Sequence, residues 1–193
     1  MTETSRTRFE SENYEWACFQ AQQAAEKALK VVLFLRGFRA VLTHSVFELV
    51  NRIGDEELKR EDIKFLDSVY IASRYPNSFS EEIVPSEYFD KGDAEKCLRL
   101  SELILKKAKK TYRDLENRLI EFLKRIRARF GIRRVLVYGS FAKRELHEGS
   151  DIDIIMIGDF RGKMHERILE VLRETDLPIE PLCYTESEFQ KMF

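Results

Sequence analysis

Between Asp93 and Gly131 the chain has neither glycine nor proline. Small or apolar residues recur there every three or four positions, at Ala94, Cys97, Ser101, Ile104, Ala108, Tyr112, Leu115, Leu119, Phe122, Ile126 and Phe130. That is the 3.6-residue period of a helix with one buried stripe. Two arrangements satisfy it, one helix running through or two helices meeting near Thr111 to Asp114, and the unbroken phase favours the first. After Gly131 the period changes to that of strands. Arg133 to Tyr138 is a short β-rich run closed by Gly139-Ser140, and Asp151 to Ile157 is a second, alternating at first and then wholly apolar. His165 to Glu174 reads as a helix, Pro178 to Tyr184 as a third strand, and Glu186 to Met192 as a closing helical turn. The expected fold is α+β in two domains, a helical bundle over 1–112 and a small α/β domain over 113–193.

Upstream of the long period the chain reads as helix after helix. Tyr14 to Arg36 carries Tyr14, Ala17, Ala21, Ala24, Ala28, Val32 and Leu35 on one stripe, widened by Trp16, Phe19, Val31 and Phe34, and Gly37 stops it. Thr43 or Ser45 caps a short second helix that ends at Gly54, with Ser45 and Glu48 at capping-box spacing. A third helix is expected over Asp55 to Ser73 and cannot continue through Pro76. Asn77 to Gly92, with Pro85, is an irregular connection, after which Asp93 caps the fourth helix.

Composition narrows the class. Hydrophobic residues make up 44% of the 193, enough for a core, so the chain is not a disordered one. No apolar run approaches the roughly 20 residues that span a bilayer, and the polar start lacks a signal-peptide core. Cys18, Cys97 and Cys183 are far apart and lack metal spacing, which reads as reduced thiols packed in a core and a cytoplasmic location. The net charge of -1 makes the whole chain no polyanion binder, although twelve Lys/Arg stand against three Asp/Glu from Lys106 to Arg134. That stretch is either a solvated helix surface or a phosphate-binding one.

The segment that carries chemistry runs from Gly139 to Asp153. A strand ends in a Gly-Ser turn that opens a short helix, where glycine permits close approach of a phosphate and the backbone N–H groups meet it. About ten residues later Ser150-Asp151-Ile152-Asp153 places two carboxylates at i and i+2 of a strand, on one face. Side-by-side carboxylates repel unless a hard cation neutralises them, which suits Mg²⁺ or Mn²⁺. A phosphate cradle beside such a pair is what phosphoryl or nucleotidyl transfer requires. Gly-Ser, a short spacer and Ser-Asp-x-Asp after a strand resembles the signature of the polymerase-β-like nucleotidyltransferases, and the small size resembles their minimal branch. The resemblance implies that Gly139, Ser140, Lys143, Arg144 and Ser150 hold an NTP and that Asp151 and Asp153 bind metal. It also implies a third carboxylate on a later strand, which Glu180 matches best. The family often has glycine where this chain has Arg144, a side chain that narrows the nucleotide loop or adds a phosphate contact.

The N-terminal part has its own resemblance. Cys18 to Lys30 is similar to the first helix of HEPN domains, as are Thr43-His44-Ser45 opening the next helix and Ser73-Arg74-Tyr75-Pro76 closing the third. This implies an antiparallel bundle, usually dimeric and commonly paired with or fused to a minimal nucleotidyltransferase in toxin–antitoxin systems. HEPN ribonucleases carry an Arg and a His four to six residues later on a late helix. Here only Arg39 and His44 have that spacing, and they lie in the connection after the first helix, so the ribonuclease site is expected to be absent. Arg74 and Tyr75 are read as a helix-end pair able to contact a nucleotide or RNA, and His147 and His165 as surface residues.

The functional expectation is therefore a metal-dependent nucleotidyltransferase that moves a nucleoside monophosphate from an NTP, ATP first among them, to a hydroxyl acceptor. RNA or a protein hydroxyl is a candidate acceptor, and the helical bundle serves as the homodimerisation and acceptor module, with no membrane involved. The alternative is a non-catalytic nucleotide- or RNA-binding protein of toxin–antitoxin type.

Overall fold

The computed structural model describes residues 3–38, 40–74, 88–143 and 151–192. The chain divides into two compact units, Met1–Leu33 with Val41–Thr111, and Phe34–Ala40 with Tyr112–Phe193. The first contains α1 (Glu3–Glu10), α2 (Tyr14–Leu35), α3 (Val46–Ile53), α4 (Glu56–Lys59), α5 (Lys64–Arg74) and the first half of α6 (Lys91–Arg127). No apolar stripe announces α1 in the sequence. It forms with an i,i+4 ion pair of 3.0 Å between Arg6 and Glu10 and with Ser5 buried. Along α2 the fully buried positions are mostly small, Ala17, Cys18, Ala21 and Ala25, which lets neighbouring elements approach closely. The helix stops before Gly37, whose φ of 85° suits glycine alone among ordinary residues.

The α3 boundaries follow the sequence signals. Ser45 is the N-cap and its Oγ accepts from the Glu48 N–H, while Gly54 closes the helix in the left-handed conformation. Long-range help arrives at the same end. Asp67, on α5, accepts from the Ser45 hydroxyl (2.6 Å) and from the N–H groups of Val46 (2.6 Å) and Phe47 (3.2 Å).

Two expectations are corrected here. The single helix expected over Asp55 to Ser73 is two, α4 and α5, broken between Arg60 and Ile63. A continuous helix would align Asp62 with Leu58 and Leu66; the break instead buries Ile63 beside them and leaves Asp62 outside, paired with Lys96 at 2.7 Å. The cap of α6 is Asp90 rather than Asp93. The Asp93 N–H donates to Asp90 Oδ1 (2.9 Å) and the Asp90 N–H donates to Asp93 Oδ2 (3.2 Å), so the two acids satisfy each other's backbone. The long period resolves as one helix of 37 residues. Its buried face in the first unit is Ala94, Cys97, Ser101, Ile104 and Ala108, and in the second unit Leu115, Leu119, Phe122 and Ile126.

The second unit adds β1 (Arg134–Tyr138), α7 (Gly139–Lys143), β2 (Ile152–Ile157), α8 (Met164–Leu172), β3 (Ile179–Tyr184) and α9 (Glu186–Gln190). The sheet order is β1-β2-β3, with β1 antiparallel and β3 parallel to β2. One face is core: Ile154, Met156 and Cys183 are 0% exposed and Ile152 is 1% exposed. Arg167 on α8 is buried and fastens the far end, donating to the carbonyls of Gly162 (2.9 Å) and Cys183 (3.0 Å) and, bidentate, to Glu188 of α9 (2.6 and 3.1 Å). The three cysteines are free and buried, as packing residues would be. No helix among the described residues is long and apolar enough to cross a membrane.

Candidate active site

β1 delivers Tyr138 to the sheet end, and the chain turns at once through Gly139 into α7. Gly139 has φ 70°, a backbone that favours glycine, and a Cβ there would push the Asp153 carboxylate aside. Phe141 anchors the turn. It is buried, its ring stacks on Tyr112 at 5.0 Å, and its carbonyl accepts from the Tyr112 hydroxyl at 2.9 Å. The turn therefore rests on α6 at a fixed point.

The register brings the carboxylates to that turn. Asp153 pairs with Tyr138 across the β1–β2 ladder and with Glu180 across the β2–β3 ladder. Directly paired residues point to the same face, so Tyr138, Asp153 and Glu180 form one row across three strands. Asp151, half-buried, stands two residues ahead of Asp153 at the start of β2. Among the described residues, neither Asp153 nor Glu180 accepts a hydrogen bond or pairs with a cation. Burial first, then the charges of Asp153 and Glu180 and the neighbouring Tyr184, push the Tyr138 hydroxyl above its ordinary range. It stays a neutral hydrogen-bond donor beside two acids.

No cluster of three or more His, Cys, Asp or Glu arranged to hold a metal occurs among the described residues. The donor chemistry nevertheless fits a hard divalent cation. Asp151 and Asp153 are hard oxygen donors two residues apart at the start of β2, and a phosphate at the adjoining turn would supply further oxygens. Lys143 ends α7 and is exposed; Arg144, His147 and Ser150 lie outside the described residues. Sequence reasoning missed Tyr138 and Tyr184, although Tyr138 directly precedes Gly139-Ser140.

The remaining histidines and cations have local duties. His44 Nδ1 lies 3.0 Å from Glu26 Oε1, its carbonyl accepts from Gln22 at 3.1 Å, and its ring stacks on Tyr70. His165 is exposed on α8, and Arg39 and Tyr75 lie outside the described residues. Among the described residues, six of the twelve cations of the basic stretch pair with acids within the chain. Lys107 pairs with Asp55 and Glu57, Arg118 with Asp176, Lys124 with Glu121, Arg129 with Glu174, Arg133 with Asp159 and Arg134 with Glu186. Burial pushes the Cys183 thiol up to about 12, which removes it as a nucleophile.

Comparison with known proteins places family matches on both units. Residues 2–112 match the HEPN domain and residues 119–192 match the nucleotidyltransferase domain. A Methanocaldococcus jannaschii protein whose name reads "Putative toxin MJ1304" is 31% identical over 118 residues, covering 53% of this chain and 75% of that protein. Among solved structures, TT1696 from Thermus thermophilus is 30% identical with a TM-score of 0.48, covering 56% of this chain and 87% of its own. The archaeal HEPN homologue ST0689 is 34% identical with a TM-score of 0.47, covering 55% and 84% respectively.

Proposed function

We propose, from the premise that this chain belongs to the HEPN domain family and carries a nucleotidyltransferase domain in the same polypeptide, that it transfers a nucleoside monophosphate from an NTP, ATP first among them, to a hydroxyl acceptor. The observation that carries the reading is the row Tyr138, Asp153, Glu180 beside the Gly139 turn, with two carboxylates left without partners among the described residues. A folded protein keeps unpaired acids together at a cost, which a cationic ligand relieves.

In this reading the backbone at Gly139 and Ser140, with Lys143, Arg144 and Ser150, grips the triphosphate. Asp151 and Asp153 hold Mg²⁺ or Mn²⁺, which when bound would neutralise phosphate charge and favour displacement at the α-phosphorus. Glu180 stands on the acceptor side and takes the proton of the attacking hydroxyl. Tyr138 keeps its proton beside the carboxylate row. The Asp151→Asn/Asp153→Asn variant should lose metal-dependent NTP binding in titration calorimetry. Unchanged binding would sink the assignment.

We assign the helical unit to homodimerisation. Trp16 is 51% exposed and packs edge-on against the half-exposed Phe19, so α2 presents aromatic surface. Sedimentation should give twice the 22.9 kDa chain mass at micromolar concentration, and a monomer mass would overturn the point. We place the protein in the cytoplasm and exclude metal-independent RNA cleavage, because His44 is engaged by Glu26. Incubation with tRNA in EDTA should leave the RNA intact. The non-catalytic reading of toxin–antitoxin type draws support from the similarity to a protein named as a toxin, and it gains if NTP binds but no label is transferred.

A further inference from the structure

The small sheet has two outer edges, and they differ. β3 carries Pro181, which has no N–H to offer a further strand. β1 has no such block. It lies outermost in the order β1-β2-β3, so alternate N–H and C=O groups of Arg134–Tyr138 face away from β2 with no further strand on them among the described residues. Its side chains are open as well: Leu136 is 45% and Val137 37% exposed, and Val135 is half-buried. Beside this edge the layer between the sheet and the end of α6 does not close. Ile120 and Leu123 of α6, with Ile132 and Val135, line a cleft of about 290 Å³, and Ile120 is 49% exposed.

The charge around the cleft has one sign. Seven Lys/Arg and one acid, Glu121, lie between Arg118 and Arg134. Lys124 and Arg133 rim the cleft in exposed pairs with Glu121 and Asp159, which exchange with a partner's acids at little cost. Arg127 rims it with no acid beside it among the described residues. We propose that the β1 edge and this cleft are a docking site for an extended segment of a partner protein, apolar at alternate positions and flanked by acids, which adds a fourth strand to the sheet. Main-chain bonds to β1 supply the affinity, and every second side chain enters the cleft against Ile120, Leu123 and Val135. Charge selects the occupant. A second copy laid edge to edge would bring two such basic surfaces together, which like charges oppose. An RNA strand meets the cations but fills neither the apolar cleft nor the open strand edge. Val135 pairs with the buried Met156, on the sheet face away from the row of Tyr138, Asp153 and Glu180, so docking there is independent of nucleotidyl transfer.

Three fluorescent probes, titrated into the full chain and followed by anisotropy, separate the possibilities. The first is a peptide of about eight residues that alternates valine and threonine between glutamates at both ends. The second has lysine in place of glutamate, and the third is an oligouridylate of similar length. The expected result is saturable binding of the acidic peptide, at least tenfold tighter than the other two, with amide exchange slowed at β1 in the complex. Arg127→Glu and Ile120→Glu, both at exposed positions, should each weaken the acidic peptide at least tenfold. Arg127→Glu removes no apolar contact and decides the point should Ile120→Glu melt early. Asp151→Asn/Asp153→Asn should bind the peptide as the unaltered chain does. No saturation by the acidic peptide, equal binding of the lysine peptide, tighter binding of the oligouridylate, unslowed exchange at β1, or unchanged affinity in Arg127→Glu overturns the proposal. So does a dimer that falls to the single-chain mass in Ile120→Glu, because the occupant is then a second copy. Loss of peptide binding in Asp151→Asn/Asp153→Asn would put the site on the other sheet face and overturn it too.

Discussion

In the helical unit four aspartates are spent at helix termini. Asp67 takes three donors at the start of α3, Asp55 takes the Glu57 and Leu58 N–H groups and Lys107 at α4, and Asp90 and Asp93 cap α6 reciprocally. In the α/β unit Asp153 and Glu180 stand side by side with no donor among the described residues. The residue chemistry is the same and the duty is opposite. Among the described residues, the first acids end on backbone N–H groups and secure helix ends, whereas Asp153 and Glu180 meet no donor.

Substitutions can break or sharpen that contrast. The largest effect is expected in activity: Asp153→Asn combined with Glu180→Gln should lower label transfer on the order of 10³-fold or more. The melting temperature without metal should stay level or rise slightly, since two repelling charges are gone. A clear fall in melting temperature would make these acids structural. Asp67→Ala should do the reverse, costing about 2 kcal/mol in denaturant unfolding through lost capping at α3 while NTP binding persists. Gly139→Ala joins the two effects. Its left-handed backbone costs about 1 kcal/mol or more, and the new methyl displaces the Asp153 carboxylate, so calorimetry should show weakened NTP binding beside a modest stability loss.

The smallest effect concerns the one strongly shifted acid that does find a partner in the α/β unit. The Arg167 guanidinium first, and the Thr185 N–H next, hold the Glu188 carboxyl down to about 2. The folded value lies below the unfolded one, roughly 4.3. Its contribution is therefore present above about pH 4.5 and is lost as the pH falls towards 2. Glu188 is 44% exposed, so solvent screening limits the contribution to about 1 kcal/mol. Glu188→Gln should flatten that part of the acid limb in pH-dependent unfolding, and an identical limb in the variant would remove Glu188 from the account.

What could be read from the residues alone was whatever local rules encode. The α2 stripe with its Gly37 stop, the Ser45 cap and Gly54 end of α3, and the switch from helix to strand after Gly131 all depend on neighbours within a few positions. Gly139-Ser140 and Asp151-x-Asp153 were legible for the same reason, being a turn and a two-residue strand period. The helix break between α4 and α5 was not, because no glycine or proline marks it. It exists so that Ile63 rather than Asp62 enters the core, and the identity of the buried face is settled only by what packs against it. The Asp67 cap on α3 spans more than twenty residues of chain, and the row of Tyr138, Asp153 and Glu180 depends on two strand registers at once. A register is chosen cooperatively by the whole sheet, since a one-residue slip would turn Ile152, Ile154 and Met156 out of the core. That cooperative choice, absent from any local window, is what set Glu180 beside Asp153.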